Sequence, residues 1–214
     1  MIINHEHPAY IEKRESMHSG GRFNGAYYYS VEICKNIIPH IKTDRNWITV
    51  NLPDVGCDHA IVFIHNNVNP YRYDWLKKYE DLILVCGVPE TCEKVKHLGQ
   101  TIYLPLSIDV AEVARHKKPK TKICAFVGRM EKRLGIRFAP YVDFLCNMPR
   151  EDLLESMAEY ENVYAVGRCA LEAKVLECNV LPYDNRYPDP EFWKVMDNSD
   201  AVKILQRELD IIDS

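Results

Sequence analysis

No apolar run in the 214 residues approaches the roughly 18 needed to cross a bilayer. The opening stretch, MIINHEHPAYIEK, lacks the basic-then-apolar pattern of a secretory leader. HExxH, GxSxG, Walker and zinc-ligand spacings are all missing, which removes the familiar signatures of zinc peptidases, serine hydrolases and P-loop NTPases. An excess of positive charge is missing too. Lys and Arg number 27 against 31 Asp and Glu, a formal charge of -4, so no general affinity for nucleic acid is expected. The eight cysteines, at 34, 57, 86, 92, 124, 146, 169 and 178, contain no CxxC pair. Most lie within apolar stretches such as ILVC (83–86) and KICAFVG (122–128). They read as buried free thiols of a reducing compartment, rather than disulfides or zinc ligands. The expectation is a cytoplasmic protein with no metal.

A hydrophobic content of 47% and a charged content of 27% suffice for a globular core. Short apolar runs alternate with amphipathic stretches, the pattern of βαβ units and parallel sheets. Strands are expected at 1–4, 47–51, 61–65, 82–86 and 101–106, with helical stretches near 25–40, 71–79 and 89–98. Residues 107–121, SIDVAEVARHKKPKT, end in a Lys/Pro cluster and read as an exposed linker. Beyond it come strands at 122–128, 142–146, 162–166 and 179–184, and helices at 149–160, 168–177, 189–197 and 199–212. The expected architecture is α/β: two small Rossmann-like lobes, 1–106 and 122–214, with parallel sheets and a cleft between them. In such sheets ligands bind beyond the carboxyl ends of the strands.

Four segments stand at such ends. FVGRMEKRLG (126–135) places Gly128 after a strand and clusters Arg129, Lys132 and Arg133. It reads either as a grip on a diphosphate or as a solvated basic loop. VGRCALEAKVLECNVLPYD (166–184) turns from strand to helix at Gly167, an arrangement that suits an anion. Glu172 in that helix could accept ribose hydroxyls or simply favour the helix. HSGGRFNGAYYYS (18–30) offers Gly20 and Gly21 for close backbone approach, or a plain turn. IVFIHNN (61–67) ends in His65, which reads as a general base, a donor to sugar hydroxyls, or a hydrogen-bonded loop histidine.

From Leu104 to Asp184 the order and spacing of these segments resemble the C-terminal half of GT-B-fold glycosyltransferases of the large retaining class. LPLSIDVAEVARHKKPKTKICAFVGRMEKRLG resembles that family's linker, strand, "VGR" and "K-G". PREDLLESMAEY resembles its following helix, and VGRCALEAKVLECNVLPYD its "G…LEA" segment. The resemblance implies that Arg129 and Lys132 contact the diphosphate of a nucleotide-sugar donor and that Glu172 binds its ribose. The backbone of Gly167, Arg168 and Cys169 would touch phosphate or sugar. The chain departs from the pattern at Tyr164, where the family has the first of its paired glutamates, and at Glu177 and Asn179, where it has glycine and proline. The segment between VGRMEKR and FLCNM is also short. The expected function is transfer of a sugar from a nucleotide diphosphate sugar to an acceptor hydroxyl. No cofactor is implied beyond that donor, the acceptor is undefined, and pairing into a homodimer is open. The alternatives are a non-catalytic sugar-nucleotide-binding module, a partner subunit of another glycosyltransferase and, more remotely, a nucleotide-sugar epimerase.

Overall fold

A computed structural model describes residues 2–3, 32–48, 59–64, 76–77, 79–128, 142–146, 148–183 and 187–214. Its strands are β1 (Ile2–Ile3), β2 (Asn46–Ile48), β3 (His59–Ile64), β4 (Asp81–Cys86), β5 (Gln100–Tyr103), β6 (Lys122–Val127), β7 (Asp143–Leu145), β8 (Tyr160–Tyr164) and β9 (Asn179–Leu181). Its helices are α1 (Pro89–Val95), α2 (Val110–Ala114), α3 (Arg150–Met157), α4 (Arg168–Val175) and α5 (Asn198–Ile212). The protein is α/β, as its alternating pattern implied, and every strand pairing in both sheets is parallel. No helix among the described residues is long and apolar enough to cross a membrane.

The chain divides into two compact units. The first comprises Met1–Ser19, Asn24–Pro105 and Ser199–Ser214. Its sheet runs β1-β2-β3-β4-β5. HAIVFI and DLILVC are each buried over five consecutive positions. An unbroken apolar run of that kind marks a parallel strand covered on both faces. Ile48, Val62, Leu84, Val95 and Leu76 meet in its core. Helix α1 starts on Pro89, whose fixed φ suits a first turn. The last helix belongs to this unit over 199–214 rather than to the second lobe, where its position in the chain had put it. Gln206 accepts from the Lys42 amide at 2.7 Å and donates to the Lys42 carbonyl at 3.2 Å. Arg45 bridges Asp81 and, at 2.8 Å, Asp213.

The second unit comprises Gly20–Phe23 and Leu106–Asn198, and its sheet runs β7-β6-β8-β9. Ala125, Val127, Leu145, Val163 and Val180 pack on Leu154, Met157, Leu171 and Val175 of the helices. The stretch 107–121 is not a bare linker. Ser107 and Ile108 are fully buried, and Val113 of α2 enters the core. Asp109 caps α2 by accepting the Glu112 amide at 2.8 Å. A second difference falls at 189–197, which forms only a 3-10 turn, Pro190–Phe192, with Asp197 bridged in parallel to Ile108. Pro190 holds Asp189 extended. Lys174 Nζ binds the carbonyls of Pro190 and Trp193 at 2.5 and 2.6 Å, so backbone acceptors are used outside any longer helix.

Lys120, from the basic cluster, serves the fold. Its ammonium donates to the carbonyls of Ala158 and Leu176, at 2.8 and 2.7 Å, which end α3 and α4. A cation at two converging helix C-termini offsets both dipoles. Lys120→Met is expected to lower stability by about 1–3 kcal/mol, measured by urea unfolding of the full chain.

Candidate functional site

In the second unit the chain leaves β6 for β7 on one side, then returns to place β8 on the other. This reversal makes the carboxyl ends of β6 and β8 a topological switch point, where open α/β sheets leave a crevice. The two strands are in register, Phe126 opposite Tyr164; β6 runs directly into a glycine of positive φ, and β8 reaches one after Ala165 and Val166. Gly128 follows β6 with φ of 147°. Gly167 follows β8 at φ 60° and ψ -134° and is the N-cap of α4. Both conformations are disfavoured for residues with a Cβ. At Gly128 a Cβ would also lie 3.0 Å from the Tyr183 hydroxyl. The Gly167 carbonyl accepts the amides of Ala170 and Leu171 at 3.0 and 3.3 Å, and no side chain caps this N-terminus. A helix start of this kind attracts an anion through its dipole and first-turn amides.

Four charged side chains tie together the helix starts at this end of the sheet. Arg150 and Arg168 are the first residues of α3 and α4. Glu172 Oε1 accepts from Arg168 Nε at 2.8 Å and from Arg150 Nε at 3.1 Å, while Arg150 reaches Glu112 of α2 at 2.7 Å. Glu172 is only 2% exposed, and a carboxylate so deep is retained because cations pair with it. Burial pushes the Glu112 carboxyl up. The Arg150 hydrogen bond and the charges of Arg150, Arg168 and Arg115 outweigh it and hold the group below the ordinary glutamate range.

No family model matches the chain, and no curated protein does.

Of the residues singled out in the sequence, Gly128, Gly167, Arg168, Cys169 and Glu172 are described and fall in this unit. The strand pairing brings Gly128 and Gly167 to neighbouring ends. Cys169 is a half-buried cysteine in the first turn of α4. Glu172, expected at a ribose, has its Oε1 engaged by two guanidinium groups. Tyr164 ends β8 in register with Phe126 and Leu181, so no carboxylate stands where the family resemblance would put one. His65, Arg129, Lys132, Arg133, Gly20 and Gly21 lie outside the described residues. Sequence reading missed Arg150 and Glu112. One signal was present: Pro149-Arg150 and Gly167-Arg168 each put arginine at the first position of a helix that follows a strand. It also missed the aromatic group beside Gly128, in which Phe126 lies 5.1 Å from Tyr183 and 5.9 Å from Phe144 between ring centroids.

The first unit has a pocket of about 340 Å³ lined by Thr43, Asp44, Arg45, His59, Asp81 and Asp213. It lies at the amino ends of β2, β3 and β4, the end of a parallel sheet that ligands seldom use, and its arginine is engaged by Asp81 and Asp213.

Removing the Glu172 charge takes away the carboxylate that Arg150 and Arg168 share. Glu172→Gln is expected to cost about 3–5 kcal/mol, read from chemical denaturation. Because the Glu112 pKa is lowered on folding, its contribution is fully present above about pH 4.3 and is lost as pH falls through the lower folded value. Thermal melts from pH 6 downward are expected to show a shallower acid loss for Glu112→Gln than for the parent chain.

Proposed function

We propose that the second unit binds the diphosphate of a nucleotide sugar beyond β6 and β8, and that the protein is a glycosyltransferase of GT-B type. The observation that carries this reading is the pairing of Gly128 and Gly167 at adjacent strand ends where strand order reverses. Two supports stand beside it. The α4 N-terminus has no side-chain cap, and the sequence immediately after Gly128 supplies Arg129, Lys132 and Arg133. Arginine matches phosphate oxygens bidentately, and lysine adds a compact charge.

In the proposed reaction the acceptor oxygen attacks the anomeric carbon of the donor. The bond from that carbon to the diphosphate oxygen breaks, and the nucleoside diphosphate leaves. The acceptor proton passes to the departing phosphate. Charge grows on the diphosphate as the bond lengthens, so Arg129, Lys132 and the helix dipole at Gly167 would act by electrostatic stabilisation. The Gly20-Gly21 loop would help orient the sugar.

A second reading, binding without turnover, has its own support. Tyr164 stands where the resemblance calls for a glutamate, and Glu172 is buried among guanidinium groups. Both readings need the same diphosphate site and differ only in chemistry.

Titration calorimetry with uridine, adenosine and guanosine diphosphates and their sugar forms is expected to show binding of at least one. Bound ligand at a hundredfold excess over Kd stabilises by about 2.7 kcal/mol, visible as a rise in Tm. Arg129→Ala is expected to weaken binding about tenfold, the loss of one charge-assisted contact. Release of free nucleoside diphosphate from the bound donor marks the transferase, and stable donor marks the binding module. Failure of every nucleotide to bind sinks both.

A further inference from the structure

Lys120 lies just before β6 and Cys178 just before β9. They are 58 positions apart in the chain, yet the Lys120 ammonium donates to the Cys178 sulfur at 3.3 Å. The same nitrogen donates to the carbonyls of Ala158 and Leu176 at 2.8 and 2.7 Å. An ammonium has three hydrogens, so two are held by carbonyls and the third faces sulfur. The Cys178 thiol donates its own hydrogen towards the carbonyls of Met157 and Leu176, at 3.5 and 4.0 Å, and its lone pairs are left to Lys120. Cys178 is a buried free thiol, while Lys120 is half-buried.

We propose that Lys120 and Cys178 form an oxidative modification site, at which a peroxide joins the two side chains by a reversible sulfur–nitrogen bond. Base removes the thiol proton, and the thiolate attacks one peroxide oxygen. The oxygen–oxygen bond breaks, water leaves, and Cys178 becomes a sulfenic acid, a species that condenses with nitrogen nucleophiles. Lys120 then gives to solvent the proton that faces sulfur. The two carbonyls keep its other hydrogens, so the freed lone pair points at the sulfur. The amine attacks, the sulfur–oxygen bond breaks, and the hydroxyl leaves as water with a second nitrogen proton. One thiol, one ammonium and one hydrogen peroxide give one sulfenamide, two waters and a proton. Sulfur is oxidised by two electrons and peroxide is reduced by two. Burial pushes the Cys178 thiol up, and the Lys120 hydrogen bond and charge offset only part of that. The reaction is therefore slow at neutral pH and accelerates as pH rises. Because the bond ties the entry of β6 to the entry of β9, it closes a long loop within the second unit. This inference does not depend on the glycosyltransferase reading.

Trypsin does not cut after a modified lysine, so the bond joins residues 118–122 to residues 175–186. The native full-length chain is treated with hydrogen peroxide, raised until at least one other cysteine is oxidised. It is then blocked with iodoacetamide, digested and weighed. The expected product is the joined pair of peptides, two hydrogens lighter than their sum and returned to the separate, alkylatable forms by dithiothreitol. Lys120→Arg keeps the positive charge but supplies no amine. There the joined peptides are expected to vanish, and dimedone to label Cys178 as the trapped sulfenic acid. Recovery of peptide 175–186 alkylated at Cys178, while other cysteines oxidise, overturns the proposal. So does Cys178 ending as a sulfinic acid or in a disulfide in the parent chain, or joining only after unfolding in guanidinium. Joined peptides heavier by one oxygen overturn the direct sulfur–nitrogen bond.

Discussion

The second unit is organised by a conflict between burial and charge at one end of its sheet. Helices α2, α3 and α4 cover β6, β7, β8 and β9 with apolar side chains, and close packing draws the starts of α3 and α4 together. Both starts carry the positive end of a dipole and an arginine. Two positive ends and two guanidinium groups would repel one another unless anions lay between them. Glu172 supplies one such anion and Glu112 another. The opposite helix ends face the mirror problem, and Lys120 answers it with one ammonium shared by two sets of carbonyls. Removing either device would leave the helices free to splay, and with them the strand-to-helix turn at Gly167.

That turn is what makes the unit chemically suggestive. A parallel sheet delivers its strands in one direction, so each strand-to-helix turn opens at the same edge. Only where strand order reverses do two turns diverge and leave room for a ligand. Gly128 and Gly167 occupy that place in backbone conformations that a side chain would oppose. The basic residues after Gly128 are the chemical complement to a helix start that favours anions. On the proposed reading that ligand is a diphosphate, whether or not a sugar is then transferred.

The first unit is built differently. Its strands succeed one another across the sheet without reversal among the described residues, so no comparable crevice is specified there. Its distinguishing feature is the return of α5, fastened by Lys42, Arg45, Gln206 and Asp213. The clustering of Arg45, His59, Asp81 and Asp213 is accounted for by that fastening: Arg45 neutralises two carboxylates that would otherwise face each other.

Local pattern alone determined the α/β class, the approximate position of most strands, and the two glycines at strand ends. The physical reason is that a buried parallel strand is a short continuous apolar run, visible without knowing what covers it, and a glycine directly after such a run marks a tight turn. The tertiary structure decided everything that depends on who meets whom. It made Glu172 the partner of Arg150, twenty-two positions away, because helix starts converge only once β6, β7 and β8 are ordered. It drew 107–116 into a core and sent 199–214 back to the first unit, since apolar Ile108, Val113, Leu205 and Leu209 are buried by neighbours distant in sequence.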